Sequence, residues 1–157
     1  MRFCSIASGS SGNCIYVGSD NTHVLVDIGI SGKKMETGLN SLELTGRDLD
    51  GILITHEHSD HIKGLGVISR KYGIPIYATA GTVDAMVRTN ALGKIPEGIF
   101  HEIQEDEPFM INDLKVNPFT IPHDAAQPVG YRLEHEGHSV GIATDLGKYN
   151  DYIIENL

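Results

Sequence analysis

A short apolar run followed at once by metal-ligand residue types constrains this chain more than any other feature. The apolar run is Gly51–Ile54, and residues 55–61 then read Thr-His-Glu-His-Ser-Asp-His. At the end of a β-strand, residues i and i+2 point the same way, so His56 and His58 can bind one ion together. The segment predicts a strand that ends at a metal site; the alternative is a polar loop that happens to be rich in histidine.

Two further ligand types, Asp60 and His61, lie where a helix would begin, and there they can turn toward a second ion. Neutral imidazoles combined with a carboxylate suit zinc, manganese or iron. The run contains no cysteine, which favours a catalytic site over a closed structural one. We therefore expect two divalent metal ions as cofactors, zinc or manganese, with iron also compatible.

Two downstream residues complete the predicted ligand set, and each follows an apolar strand. His123 comes after Phe119–Pro122, and Asp145 comes after Val140–Thr144. Ligands at strand ends are held by the sheet while the loops beyond them stay open to substrate. Asp145 would be able to bridge both ions. The predicted ligands form one set for each ion: His56, His58 and His123 for the first, and Asp60, His61 and Asp145 for the second.

Length and composition are those of an ordinary globular domain. The chain has 157 residues, 40% of them hydrophobic, which suits one domain with a buried core. No apolar run approaches the ~20 residues that cross a bilayer, so no membrane association is expected. The start resembles no signal peptide, and we expect a cytoplasmic location. There, Cys4 and Cys14 should be reduced core residues on neighbouring strands, with a disulfide as the alternative.

Apolar periodicity and turn residues divide the chain into strands with interposed helices, followed by two hairpins. The predicted strands are Arg2–Ala7, Cys14–Gly18, His23–Asp27, Leu49–Thr55 and Ile76–Thr79. The predicted helices are Ser31–Leu44, Asp60–Tyr72, Val83–Leu92 and Asn150–Leu157. The hairpins pair Phe109–Ile111 with Leu114–Ile121, and Val129–Glu134 with Ser139–Thr144. This order predicts an α/β or α+β fold in which helices cover a sheet.

The same residues resemble the pattern of the metallo-β-lactamase-fold hydrolases. That pattern is an early Asp near a Gly, an HxHxDH run, a later His, a later Asp and a final His. Here it appears as Asp27-Ile28-Gly29, His56–His61, His123 and Asp145, without the final histidine. Flanking loops, among them Ser8–Cys14, are most similar to the YycJ/WalJ-type branch of bacterial DNA exonucleases.

The resemblance implies an αββα sandwich of two similar halves with the metals between them. The chain would supply the first half and part of the second, so we expect one domain, residues 1–157, that is truncated at its C-terminal side. The expected consequences are a weak second metal site, low activity of this chain alone and self-association through exposed apolar surface. Completion of the fold by another copy of the chain is the alternative.

The expected chemistry is hydrolysis by a metal-bridged hydroxide. Two ions about 3.5–4 Å apart can activate a water that attacks phosphodiesters, lactams, lactones or thioesters. Asp60 is expected to be catalytic as well as a ligand, because it can accept a hydrogen bond from the attacking water. Asp27 is expected either to orient a ligand histidine through its other ring nitrogen or merely to form a strand-end turn.

The resemblance favours a phosphodiesterase or nuclease whose partner is DNA or RNA. The net charge of −9 is unusual for a protein that binds polyanions, so the ions rather than a basic surface would attract phosphate. Two alternatives stay open. One is a small-molecule hydrolase of the lactonase, glyoxalase-II or β-lactamase type, and the other is a non-catalytic remnant of the fold.

Overall fold

The computed structural model describes all 157 residues and contains two β-sheets. The first sheet has six strands, which lie side by side in chain order: β1 (Arg2–Ala7), β2 (Cys14–Gly18), β3 (His23–Val26), β4 (Gly51–Leu53), β5 (Ile76–Thr79) and β6 (Phe100–Ile103). Strands β1 to β3 are antiparallel neighbours. Strands β3 to β6 are parallel, because a helical connection returns the chain to the same edge before each new strand.

The second sheet is antiparallel and has four strands in the order β10-β9-β8-β7. These strands are β7 (Phe109–Ile111), β8 (Leu114–Thr120), β9 (Val129–His135) and β10 (His138–Ile142). Between β9 and β10, Glu136 and Gly137 have φ angles of 47° and 79°, the two positive values that a type I′ hairpin turn needs. Both hairpins predicted from the turn residues are therefore present.

The helices connect the strands of the first sheet and close the chain. They are α1 (Gly32–Ser41), α2 (Ser59–Ile62), α3 (Leu65–Tyr72), α4 (Ala80–Arg88) and α5 (Asp151–Asn156), with a short 3-10 turn at Gly46–Asp48. The side chains of Ser31, Thr79 and Asn150 cap α1, α4 and α5 by accepting a backbone N–H from the first helical turn. No helix combines the length and hydrophobicity needed to cross a membrane.

Three apolar clusters show that the elements stack in four layers. Helices pack on the outer face of the first sheet, where Met35, Leu39 and Ile68 meet strand residues. The two sheets share the second cluster through residues such as Val24, Leu53, Val116 and Leu133. In the third cluster, Ile153 of α5 packs on Phe119 of the second sheet. The order is helix, sheet, sheet, helix, as expected for an αββα sandwich.

The structure divides the predicted helix Asp60–Tyr72 into α2 and α3. A continuous helix would pair the Asp60 carbonyl with the Gly64 amide. Instead, the backbone N–H of Asn13 donates to the Asp60 carbonyl at 2.8 Å, and the Gly64 N–H donates to the Ile28 carbonyl at 2.9 Å. Two tertiary hydrogen bonds thus replace one helical bond, and both involve the chain close to the predicted ligands.

Candidate metal centre

The predicted ligands meet because four strands end at the same edge of the sandwich. Asp27 directly follows β3, His56 lies three residues after β4, and His123 and Asp145 each lie three residues after β8 and β10. His58 is the N-cap residue of α2, but its side chain makes no hydrogen bond to the helix; its Nδ1 atom lies 3.2 Å from His123 Nε2 instead. Residues from both sheets therefore contribute to one cluster, which is the arrangement expected for a site between the two layers.

The ligand atoms form two adjoining groups, in each of which all atoms lie within 4.8 Å of one another. The first group is His56, His58 and His123, and the second is His56, His61 and Asp145. Asp60 lies outside both groups, although its Oδ2 atom is 3.4 Å from His61 Nε2. The division differs from the sequence prediction in one respect: buried His56, rather than Asp60, completes the second group.

Asp145 belongs to the second group but also lies near His123 of the first. Its Oδ2 atom is 2.8 Å from His61 Nε2, 3.3 Å from His56 Nε2 and 4.0 Å from His123 Nε2. Its backbone has a φ angle of 56°, a left-handed conformation that is uncommon outside glycine and is found at functional sites. The position is suited to a carboxylate that contacts two ions, although the bridging role stays a prediction.

The residues fit a metal ion because one buried nitrogen has no other partner. His56 is fully buried, and its Nε2 atom makes no hydrogen bond even though Asp145 Oδ2 is 3.3 Å away. Burial, helped by the charges of His61, His123 and His58, lowers the pKa of His56 to about 3. The ring is therefore neutral near pH 7, the form that binds metals. An unpaired buried polar atom is costly, and a metal ion would satisfy it.

Asp27 and Thr55 form a buried network behind the two most buried histidines. Asp27 Oδ2 is 2.6 Å from His61 Nδ1, and the Thr55 N–H and hydroxyl both donate to the Asp27 carboxylate at 2.8 Å. The Thr55 hydroxyl is also 2.9 Å from His56 Nδ1. Each Nδ1 atom is thus held from behind, which turns both Nε2 atoms toward the centre. The geometry suits the orienting role predicted for Asp27.

The pKa values of His61 and Asp27 are both raised, but for different reasons. Burial lowers the pKa of His61, but the hydrogen bond and charge of Asp27, with the charges of Asp60 and Asp145, outweigh burial and raise that pKa overall. Burial raises the pKa of Asp27, while His61 and Thr55 oppose the rise. A metal ion at His61 Nε2 would therefore compete with a proton that the neighbouring carboxylates favour.

Two contact residues were missed from the sequence because nothing in local periodicity marks them. The Asn13 side-chain N–H group donates to the Asp60 carbonyl at 3.2 Å and to its Oδ2 atom at 3.4 Å. Glu57, between the first two histidines, accepts the backbone N–H of Ala126. The position of Asn13 at the end of a Ser/Gly loop was visible, but its partner 47 residues away was not.

The site is buried on the side of His56 and His61 and open to solvent at its rim, where Asp60 and Asp145 lie. The side chains of His56 and His61 are 0% exposed, whereas those of Asp60 and Asp145 are 28% and 39% exposed. His123 is intermediate. A ligand would therefore reach the cluster from the side of the carboxylates.

Comparison with known proteins agrees with this architecture. The family model described as the beta-lactamase superfamily domain matches residues 22–157. The chain belongs to this superfamily. The fold is similar to that of a solved metallo-β-lactamase mutant from Cronobacter sakazakii, with a TM-score of 0.74, 14% identity, and coverage of 97% of this chain and 66% of the other. It is also similar to Zn(2+)-bound PqqB from Methylobacterium extorquens, with a TM-score of 0.73, 17% identity and coverage of 90% and 55%. The predicted metallo-β-lactamase fold is thus confirmed.

Within the superfamily, the chain is similar to two proteins named as exonucleases, which confirms the predicted YycJ/WalJ resemblance. It is 42% identical to exodeoxyribonuclease YycJ of Bacillus anthracis, covering 96% of this chain and 56% of that protein. It is 40% identical to exodeoxyribonuclease WalJ of Streptococcus pneumoniae, covering 99% and 59%. The chain therefore spans less than two thirds of the length of these relatives.

A third relative carries a different name. The chain is 31% identical to the transcription termination factor FttA of Methanothermobacter thermautotrophicus, covering 83% of this chain and 22% of that protein.

Proposed function

We propose that this chain carries the metal centre of a metal-dependent hydrolase that cleaves phosphodiester bonds in DNA or RNA. The observation that carries the proposal is the pair of adjoining ligand groups that share buried His56. The names of the relatives, two exodeoxyribonucleases and a transcription termination factor, support nucleic acid as the substrate class. Zinc or manganese suits the nitrogen and carboxylate donors.

The proposed ligands are five side chains of the two groups together with Asp60 at the rim. His56, His58 and His123 would hold one ion, while His61 and Asp145 would hold the second together with the shared His56, and Asp60 lies beside His61. Divalent ions at such a site activate water near neutral pH and stabilise negative charge on a leaving oxygen. The chain's own residues then determine where the phosphodiester and the water can lie.

Asp60 is the proposed proton-handling group. Its carboxylate is partly exposed beside His61, and the Asn13 amide holds it from the protein side. It can accept a hydrogen bond from a water that approaches through the open rim, which places the general base within reach of the nucleophile. Asp27, fully enclosed behind His61, can orient that ring but cannot contact substrate.

The chain is acidic overall, so the divalent ions rather than the surface charge would attract a phosphate group. With a net charge of −9, the surface as a whole repels polyanions. Binding should therefore depend on the divalent ions rather than on nonspecific surface attraction. The same charge is what favours the alternative of a small-molecule hydrolase with the same fold.

A substrate comparison tests the proposal. The chain is assayed with bis-p-nitrophenyl phosphate, nitrocefin and a thioester, with zinc and manganese in turn, alongside His56→Ala and the exposed-site control His138→Ala. We expect metal-dependent hydrolysis of the phosphodiester that His56→Ala abolishes and His138→Ala retains. Faster hydrolysis of nitrocefin or the thioester would establish the small-molecule alternative. No hydrolysis of any substrate at saturating metal, either by this chain or by a chain extended to the length of its relatives, would favour the non-catalytic alternative.

A further inference from the structure

The ligand His123 lies on a segment that has little structure of its own. Residues 121–128 connect β8 to β9 without helix or strand, and two backbone hydrogen bonds lie within the segment: from the Ala125 N–H to the His123 carbonyl at 3.0 Å, and from the Ile121 N–H to the Pro128 carbonyl at 3.4 Å. The other histidines of the cluster follow β4 or lie at α2. His123 therefore depends on contacts from outside its segment to stay in place.

One such contact comes from between the other two ligands of the same ion. Glu57 separates His56 from His58, and its carboxylate oxygens lie 3.0 and 3.3 Å from the backbone nitrogen of Ala126. Ala126 is three residues beyond His123. The backbone N–H of Ala126 thus donates to both oxygens, which ties the His123 segment directly to the segment that holds His56 and His58.

Gln127, the next residue, is fixed by a second set of contacts. Its Oε1 atom accepts the Gly81 N–H at 2.8 Å, and its carbonyl accepts the Thr79 hydroxyl at 2.9 Å. These contacts connect the far end of the segment to α4. Nearer to His123, the segment is held by the hydrogen bond from Ala126 to Glu57 and by the His123 ring, whose Nε2 atom is 3.2 Å from His58 Nδ1.

We propose that Glu57 is a positioning residue that holds His123 in place for the ion of the first ligand group. The hydrogen bond from the Ala126 N–H to a Glu57 oxygen is 3.0 Å long, which is within the usual range for N–H···O bonds. It reduces the motion of the His123 segment before metal arrives, and a preorganised ligand binds metal more tightly. Glu57 belongs to neither ligand group. The inference rests on the proposed metal centre.

The competing explanation is that the negative charge of Glu57 simply attracts the metal ion. A conservative variant distinguishes this charge effect from the proposed anchoring of the His123 segment. Any carboxylate near the site would attract a cation. Glu57→Gln removes the charge but keeps a side-chain oxygen that can accept the Ala126 N–H, whereas Glu57→Ala removes both. Glu97→Ala is the matched control, since Glu97 is an exposed carboxylate in the connection between α4 and β6.

The experiment is a cobalt(II) titration of the metal-free chain followed by visible absorption, which reports both affinity and ligand geometry. We expect Glu57→Ala to weaken binding by about 10-fold or more, as loss of groups that orient metal ligands commonly does, and to alter the cobalt spectrum. Glu57→Gln should restore the wild-type spectrum and most of the affinity. Equal weakening in Glu57→Gln and Glu57→Ala would overturn the proposal in favour of charge, and unchanged binding in Glu57→Ala would overturn it outright.

A second measurement needs no metal. Backbone NMR order parameters of the metal-free wild-type chain should show Ala126 and His123 as rigid, and Glu57→Ala should lower them toward the ~0.6 of flexible segments. Unchanged order parameters in Glu57→Ala would refute the anchoring role. If the wild-type chain binds no cobalt, the proposed metal centre fails, while the order parameters still decide whether Glu57 anchors the segment.

Discussion

Asp60 is the side chain with the most specific proposed role in catalysis. It lies 3.4 Å from His61 but outside both compact ligand groups, so its main proposed task is to accept a hydrogen bond from the attacking water. We expect Asp60→Asn to reduce phosphodiester turnover by at least about 100-fold, since loss of a group that acts in the transition state typically costs that much. The measurement is kcat with bis-p-nitrophenyl phosphate at saturating manganese.

The control for that prediction is His138, an exposed residue at the start of β10. His138→Ala should change kcat by no more than about twofold, because surface substitutions away from a site rarely matter. Urea unfolding of both variants shows whether either has lost stability. Similar losses of activity in Asp60→Asn and His138→Ala would mean that the active residues lie elsewhere.

Local sequence patterns were enough to predict which side chains would meet in the cluster. The two-residue alternation along an extended chain was enough to pair His56 with His58, and a strand end was enough to mark His123 and Asp145. The contacts of Asn13 and Glu57 could not be predicted, because their partners lie 47 and 69 residues away in sequence. The sharing of His56 between both groups likewise depends on how the two sheets pack.

The backbone is so closely packed at Gly29, two residues after Asp27, that only glycine fits there. A Cβ atom at Gly29 would lie 1.6 Å from the Asp60 carbonyl oxygen, and the Gly29 N–H donates to the Asn13 carbonyl at 2.8 Å. Three segments of backbone thus meet with no space for a side chain. We expect Gly29→Ala to lower the free energy of unfolding by at least about 3 kcal/mol and to weaken metal binding.

Urea unfolding of the metal-free chain measures the first effect. Gly147→Ala is a suitable comparison, because a Cβ atom there would have no heavy atom within 4 Å. It should change the free energy of unfolding by less than about 0.5 kcal/mol. A stable, metal-binding Gly29→Ala variant would show that the close approach of these segments is not required.

Asp113 links the turns of the two sheets at the end of the sandwich away from the metal cluster. Its carboxylate accepts hydrogen bonds from the Thr22 hydroxyl at 2.5 Å and the Ser19 hydroxyl at 2.8 Å. These bonds lower the pKa of Asp113 below its usual 3.8. A carboxyl group whose pKa falls on folding stabilises the protein above its unfolded-state pKa, and the stabilisation disappears as the pH falls through the folded-state pKa.

Asp113→Asn should therefore destabilise the chain at pH 7 and should matter progressively less as the pH falls below 3.8. Urea unfolding of both proteins over that pH range, with a chelator present, measures the difference. Metal affinity at pH 7 should be unchanged, since the substitution lies far from the cluster along β8. A difference in stability that does not vary with pH would contradict the assignment.

Element types were more predictable than element boundaries. The apolar patterns of β1, β2 and β5 gave their limits directly, and the turn chemistry gave both hairpins. The break between α2 and α3 was missed because Asp60 and Gly64 pair with distant backbone groups rather than with each other. Helix α4 begins at Ala80 rather than at the predicted Val83 because Thr79 provides the cap.

The sandwich as a whole covers its own inner faces. Residues of both sheets form the shared cluster, and the exposed large hydrophobic residues are distributed over β1, α3, α4, β7 and the α5 region: Phe3, Val67, Val87, Met110, Tyr149, Ile154 and Leu157. The self-association expected from the sequence stays a prediction. Sedimentation of the chain at several concentrations would test it.

The two ions should bind with different affinities. The first group offers three histidines, whereas the second offers His61 and Asp145 and shares His56. A proton also competes with the second ion for His61, since the surrounding carboxylates raise the pKa of that ring overall. A zinc titration of the 157-residue chain should therefore show one tight and one weaker phase, with the weaker phase tightening as the pH rises. Two equal phases would contradict this ranking.

If buried His56 belongs to both ion sites, its replacement should weaken the binding of both ions. The metal content of the His56→Ala variant tests this. Wild-type chain, His56→Ala and His138→Ala are dialysed together against zinc at a concentration that fills both phases of the wild-type titration, and the zinc bound per chain is measured by elemental analysis. We expect more than one zinc per wild-type or His138→Ala chain and almost none in folded His56→Ala. Wild-type zinc content in a folded His56→Ala chain would contradict it.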